Sequence, residues 1–335
     1  MAFLINKTRK KAHEFIMARL YPLQHEIQKN RMNADIQHLL TMQTLRAIAE
    51  QLSPDLVAKL PQFEEGGDLI AGDVVVSPNY DTRIKADDIF LLSYPRSGNT
   101  WTRVIIAYLL YSAETITTFE DLQTYVPDLH VGLPTHNHYS TPRVLKSHQP
   151  YGTRHGLGNL SLYRRYIYII RHPYKVMESY LHYETYKANS RSYAPESFID
   201  LILNNAYDYG GWQEHVLSWQ YAQKYAPKTL FLRYEDLSNN PIPYIQSIGQ
   251  FLGKPVSEEQ AELVRKYSSR ESMRDFDVKA QTSTRFETVQ EQVKLTDDQK
   301  SLIYARYQQE MNNWGYLADG SVANDYAMKG KTFRP

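Results

Sequence analysis

Between residues 89 and 252, short apolar runs alternate with longer stretches of helical spacing, and this alternation constrains the fold more than any other feature. Strand candidates lie at 89–94, 143–146, 166–171 and 229–234. Helical patterns follow at about 99–111, 174–187, 195–204, 211–226 and 240–252, and a last one spans about 296–313. Strands separated by helices pair in parallel, with the helices covering the sheet. The expected fold class is therefore α/β, a central parallel β-sheet flanked by helices. Residues 1–70 read as a helical N-terminal extension, because "NADIQHLLTMQTLRAIAEQL" has heptad-like apolar spacing. Residues 71–320 read as the α/β domain and 321–335 as a C-terminal tail.

The 335 residues, 42% of them hydrophobic, suffice for one sizeable core. A net charge of +1 gives no global field for nucleic acid, so any basic site must be local. With no cysteine, disulfides, thiolate chemistry and cysteine zinc sites are excluded. No apolar run reaches the roughly 18 residues of a transmembrane candidate, and the basic start lacks a secretory layout. A membrane-touching amphipathic helix at 1–20 is weighed against a surface helix packed on the domain, and the latter is preferred. The expected location is cytoplasmic. The polar stretch 275–295 reads as a long loop.

The first chemical signal is "FLLSYPRSGNTWTRVIIAYLLY" at 90–111, where an apolar strand runs through a tight turn into an apolar helix. A helix N-terminus presents unpaired N–H groups and partial positive charge, so this turn is an anion seat. It is not the nucleoside-triphosphate loop G-x-x-x-x-G-K-[ST]: it holds one glycine, and no Lys-Ser or Lys-Thr follows. Its donors are the backbone from Ser97 through Gly98 and Asn99 to Thr100, the hydroxyls of Ser97 and Thr100, and Arg96. A second seat follows at "YIYIIRHPYKVMESYLHYE", where a strand ends at Arg171, Pro173 suits a first helical position, and Ser179 lies on the next helix. Two seats on two strand ends suit a nucleotide with phosphates at two separate positions.

Together these segments resemble the cytosolic-type sulfotransferase family, which uses 3′-phosphoadenosine-5′-phosphosulfate (PAPS). "YPRSGNTW" resembles that family's phosphosulfate loop, Y-P-K-S-G-T-T-W, which is P-loop-like. "RHPYKVMESY" resembles its 3′-phosphate motif, and "PRVLKSHQP" its catalytic L-K-T-H-x-P stretch. "GGWQEHVLSW" and "LFLRYEDL" match further family segments, so the resemblance covers about residues 85 to 315.

The resemblance implies roles. His148 is the candidate base, since an unperturbed histidine near pKa 6.5 offers a neutral form at pH 7. Lys146, two residues earlier on an extended strand, projects to the same side and can offset sulfonate charge. Arg96 stands where the family more often has lysine; it cannot act as an acid but can hold two oxygens. Arg171 and Ser179 are assigned to the 3′-phosphate, and Trp101 and Tyr234 to the surroundings of adenine. Ser269 falls where the family has a hydroxyl near the base, and Arg270 can stack through its guanidinium. The family's Arg-Lys-Gly before the last helix is missing; Arg285 in "STRFET" is its preferred replacement, with "MKGK" at 328–331 the alternative.

His130, His136, His138, His148 and His155 raise a metal reading, which is set aside because sulfuryl transfer in this family needs none. His136, His138 and Tyr139 are instead expected in the acceptor pocket. The expected activity is transfer of a sulfuryl group from PAPS to a hydroxyl or amine of a small molecule, with PAP (adenosine 3′,5′-bisphosphate) as product. Two rivals stay open: a nucleoside-triphosphate-dependent, kinase-like enzyme, and a non-catalytic module for 3′,5′-bisphosphate nucleotides. Either a monomer or a homodimer is compatible with the sequence.

Overall fold

The computed structural model describes residues 87–111, 116, 118–131, 133, 142–150, 165–186, 195–204, 209–225, 228–274 and 294–323. The expected N-terminal helices and most of the 275–295 loop lie outside them, as do His136, His138, Tyr139, His155, Arg285 and the 328–331 stretch.

Among the described residues, four strands form one parallel sheet: β1 (Ile89–Ser93), β2 (Val144–Ser147), β3 (Arg165–Ile170) and β4 (Lys228–Arg233), in the order β2-β1-β3-β4. Each lies within a residue or so of its expected place. The helices are α1 (Asn99–Leu110), α2 (Phe119–Tyr125), α3 (Pro173–Tyr186), α4 (Pro195–Leu203) and α5 (Trp212–Tyr225), then α6 (Tyr234–Asn239), α7 (Pro241–Phe251), α8 (Glu258–Tyr267) and α9 (Asp297–Asn313). Three of these, α2, α6 and α8, were not anticipated. Helix α8 nonetheless carries a readable start, a capping box in which Ser257 and Gln260 exchange side-chain and backbone hydrogen bonds.

Strand alternation divides the core into two layers. Phe90, Leu92, Tyr166, Tyr168, Ile170 and Phe231 face one side, where they pack with Val176 of α3, Trp212 and Trp219 of α5, and Ile303 and Tyr307 of α9. Ile89, Leu91, Ile167, Ile169, Leu230 and Leu232 face the other, against Val104 and Ile105 of α1, Ile245 and Ile248 of α7, and Ala261 and Val264 of α8. Because both faces are covered, the strands read as continuous apolar runs rather than alternating ones. Asp88, at the edge of β1, is buried and paired with Arg143 ahead of β2, whose Nε donates to Oδ1 at 2.6 Å.

The order β2-β1-β3-β4 has a functional consequence. The chain leaves β1 for one neighbour, β2, then crosses back to the other, β3. A crevice outside the carboxyl ends of β1 and β3 is thus a topological switch point, where open α/β sheets take their ligands. Ser93 sits opposite Ile169 in the register, so the turns after these two strands emerge side by side.

Candidate active site

The turn leaving β1 is built from two left-handed residues. Arg96 has φ 67°, the one positive value at a non-glycine position among the described residues, and Gly98 has φ 98°. Gly98 is fixed by more than its dihedral, since a Cβ there would overlap Cδ2 of the Tyr234 ring. The glycine therefore lets a tyrosine ring lie against the backbone. Gly98 is also the N-cap of α1, and no side chain caps that helix. No acidic residue occupies its first turn, which contains Asn99, Thr100 and Trp101. The hydroxyl of Ser97 is fully buried and has no hydrogen-bond partner. A buried polar group without a partner is costly, and one that borders a helix N-terminus has the right place for an anion oxygen.

The second seat is tied to the first. Arg171, just past β3, donates from Nη1 to the backbone carbonyl of Arg96 at 2.9 Å. Its guanidinium lies over the Tyr234 ring at 4.3 Å, while its buried Nε has no partner. Arg96 in turn donates from Nε to the Ser179 hydroxyl on α3 at 3.1 Å and lies over the Tyr183 ring at 4.7 Å. Trp101 meets Tyr234 edge to face, with centroids 5.7 Å apart. Thus Arg96, Arg171, Ser179, Trp101 and Tyr234, expected separately from sequence, form one connected cluster. Glu235 and Trp212 support it: the His172 N–H donates to the Glu235 carboxylate at 2.9 Å, and Trp212 Nε1 donates to the Arg171 carbonyl at 3.2 Å.

His148 lies one residue beyond β2, on the other side of β1. Its Nδ1 is 2.8 Å from the Ser93 carbonyl, which can only accept, so Nδ1 carries the proton and Nε2 keeps its lone pair. Burial first, then the charge of Lys146, hold its pKa well below the ordinary 6.5. His148 is therefore a neutral imidazole at pH 7. Its backbone carbonyl accepts from His215 Nε2 at 3.0 Å, and Tyr168 donates to His215 Nδ1 at 3.0 Å, which fixes that ring's tautomer as well.

Lys146 is buried, with Nζ 2.7 Å from Asp128 Oδ2. Sequence reading missed Asp128, as it missed Ser93, Tyr183 and Tyr209; the first two act through sheet geometry that a linear reading does not give. Among the described residues, no three His, Asp or Glu converge as a metal site. No described helix is long and apolar enough to cross a membrane.

The family model for the sulfotransferase domain matches residues 86–314, from the start of β1 to the end of α9. The chain belongs to the sulfotransferase family. Membership removes the kinase-like rival. Sulfotransferase 1B1 of Canis lupus familiaris is 30% identical over 206 residues, covering 57% of this chain and 67% of its own. Sulfotransferase 1E1 of Bos taurus is 30% identical over 223 residues, covering 62% and 72%. Among solved structures, mouse sulfotransferase SULT7A1 complexed with PAP has the same fold, with a TM-score of 0.54 at 23% identity over 71% of this chain and 87% of that one. A retinol dehydratase in a complex with retinol and PAP matches at 0.50 and 18% identity, over 70% and 84%.

In this sulfotransferase, Ser269 and Arg270 lie just after α8, outside the hydrogen bonds and ring contacts that join the cluster. The Ser269 hydroxyl caps the helical turn at 270–274, receiving the Ser272 N–H at 3.2 Å and meeting the Ser272 hydroxyl at 2.9 Å. Arg270 is solvent-exposed. Both follow α8, whose Tyr267 packs on Tyr108 of α1 at 5.9 Å.

Proposed function

We propose that the chain transfers a sulfuryl group from PAPS to a hydroxyl or amine of a small-molecule acceptor. The observation that carries this is the convergence of two anion seats with orphaned buried donors, Ser97 Oγ and Arg171 Nε, beside a neutral histidine. The seat at the start of α1 suits the 5′-phosphosulfate, through the backbone from Ser97 to Thr100 and the guanidinium of Arg96. Arg171 and Ser179 suit the 3′-phosphate, since an arginine fork pairs with phosphate through charge-assisted bonds. Trp101 and Tyr234 suit the flank of adenine.

PAPS supplies an activated sulfuryl group on its 5′-phosphate. His148 Nε2 takes the proton of the acceptor O–H or N–H as the acceptor atom forms its bond to sulfur. The bond from sulfur to the 5′-phosphate oxygen breaks in line, and PAP leaves with that electron pair. Arg96 and the α1 N-terminus offset the charge that grows on the departing oxygen. Lys146, held beside His148 in sequence and by Asp128 in space, offsets charge on the sulfuryl oxygens.

Thermal unfolding with PAP, with 5′-AMP and ATP as controls, tests the nucleotide. PAP at about 100 times its dissociation constant adds about 2.7 kcal/mol of stability. A shift with PAP well above that with AMP supports two seats. A shift with ATP alone overturns the reading, and so does none at all.

A further inference from the structure

The turn from Pro127 to Val131 runs alongside the end of β2 and bridges to it at one position. Asp128 forms a parallel bridge with Lys146: the Lys146 N–H donates to the Pro127 carbonyl at 2.8 Å, and the Leu129 N–H donates to the Lys146 carbonyl at 2.9 Å. The side chains follow the same register. Asp128 Oδ2 holds Lys146 Nζ at 2.7 Å, and two residues on, His130 Nε2 receives the His148 N–H at 3.2 Å. Among the described strands β2 is the outermost, and its pairing with β1 ends at Ser147. Beyond that point no described strand pairs with His148, and the His130 side chain takes its N–H.

The turn is itself rigidly specified. Asp128 Oδ1 receives the His130 N–H at 3.0 Å, the Val131 N–H donates to the Asp128 carbonyl at 3.0 Å, and Gln123 receives the Asp128 N–H at 2.9 Å. The His130 ring stacks beside His148 at 5.9 Å, and Tyr209 stands edge-on to both, at 5.4 and 5.6 Å. Accepting at Nε2 requires His130 to be neutral with its proton on Nδ1. Although His130 stays more than a third exposed to solvent, its partial burial and then Lys146 lower its pKa.

We infer that Asp128 and His130 are a paired positioning device for the transfer reaction, Asp128 setting the ammonium of Lys146 and His130 setting the backbone and ring of His148. This rests on the roles proposed above for Lys146 and His148. Asp128 pairs with the buried ammonium of Lys146 and fixes where that charge stands. A displacement of about 1 Å in a reacting group costs on the order of a hundredfold in rate, so positioning at this point matters to turnover. It does not matter to nucleotide affinity, because neither residue belongs to the Arg96, Arg171 and Ser179 cluster.

The test uses the full chain with Asp128→Asn, His130→Ala, His130→Gln, Lys146→Met and the double variant Asp128→Asn/Lys146→Met. PAP affinity is measured by calorimetry, and turnover with PAPS and 2-naphthol, a plain phenol. Asp128→Asn and His130→Ala are expected to lower kcat by about tenfold to a hundredfold while PAP affinity stays within about twofold. Glutamine at position 130 offers an amide oxygen to the His148 N–H, so His130→Gln recovers most of the rate. In the lysine-free background Asp128→Asn has little further effect. Unchanged kcat in both single variants overturns the inference, and so does full additivity with Lys146→Met.

If the wild type shows neither PAP binding nor turnover, the preceding reading has failed on its own account. Nitrogen-15 histidine spectra then decide the positioning claim, with His148 assigned from its missing signals in His148→Ala. A His148 ring signal that is single in the wild type and His130→Gln, and shifted or split into several positions in His130→Ala, sustains the claim, because the ring has then lost its one placement. Identical His148 signals in all three overturn it.

Discussion

Arg171 donates its Nη1 proton to the backbone carbonyl of Arg96, so the arginine at the end of β3 braces the left-handed turn at the end of β1. One side chain thereby touches both candidate anion seats, and losing it is expected to affect each. Arg171→Ala is expected to weaken PAP binding by about 1.5–3 kcal/mol, roughly tenfold to 150-fold, the scale of hydrogen bonds to charged groups. Binding of 5′-AMP, which lacks the 3′-phosphate, falls less. Calorimetry with both nucleotides checks the difference, and equal losses would remove Arg171 from the 3′-phosphate.

Gly98→Ala introduces a methyl group where the Tyr234 ring already lies, at a backbone angle that side chains rarely adopt. The expected cost is about 1–3 kcal/mol, with PAP affinity lowered as the ring is pushed aside. Urea unfolding measures the first effect. Pairing Gly98→Ala with Tyr234→Ala should relieve the clash but not the dihedral strain, leaving part of the loss.

His148→Ala is expected to lower turnover by about a hundredfold to ten-thousandfold without weakening PAP. The pKa of His148 lies well below 6.5, so its base form persists as pH falls through the range where a free histidine protonates. The acid limb of kcat in the wild type is therefore expected well below the ordinary histidine range. A limb centred at 6.5 or above would point to a different base.

Stability should fall with acid earlier than carboxylate protonation alone would bring. His148 is held well below its ordinary value, and His172 and His215 are pushed down to about 4 and about 3, each chiefly by burial. Below about pH 6.5 the unfolded chain binds protons that the folded chain refuses. The stability these neutral rings carry is full above that pH and is lost as pH drops toward their folded values. Each contributes a slope of up to about 1.4 kcal/mol per pH unit. Glu235, whose pKa burial raises, works in the opposite sense near the bottom of the window. Denaturant titrations at pH 7.5, 6 and 5 check the trend; a flat profile over that span would contradict it.

Much of the fold was readable because both faces of the sheet are covered, which turns strands such as "IFLLS" and "RYIYII" into unbroken apolar runs. The short helix α6 was hidden for a physical reason: it starts at Tyr234, directly after β4, with no linker to mark the change. At the site, residues that sit on strand ends were legible as types in a pattern, and Arg96, Arg171, Ser179 and Tyr234 do meet. What could not be read were groups recruited by register. Nothing in "VPDLH" says that Asp128 and His130 will lie alongside Lys146 and His148; that follows only once β2 lies outermost among the described strands. The Ser93 carbonyl, which fixes the tautomer of His148, is a backbone atom and leaves no mark in sequence at all.

That carbonyl has a mechanical meaning. Ser93 ends β1 and orients the candidate base, and only three residues later the same chain begins the turn that seats the candidate donor. The two sides of the proposed reaction are thus spaced by a handful of covalent bonds rather than by the packing of separate layers. The span between candidate proton acceptor and leaving group is therefore held by the length of a single short stretch of main chain.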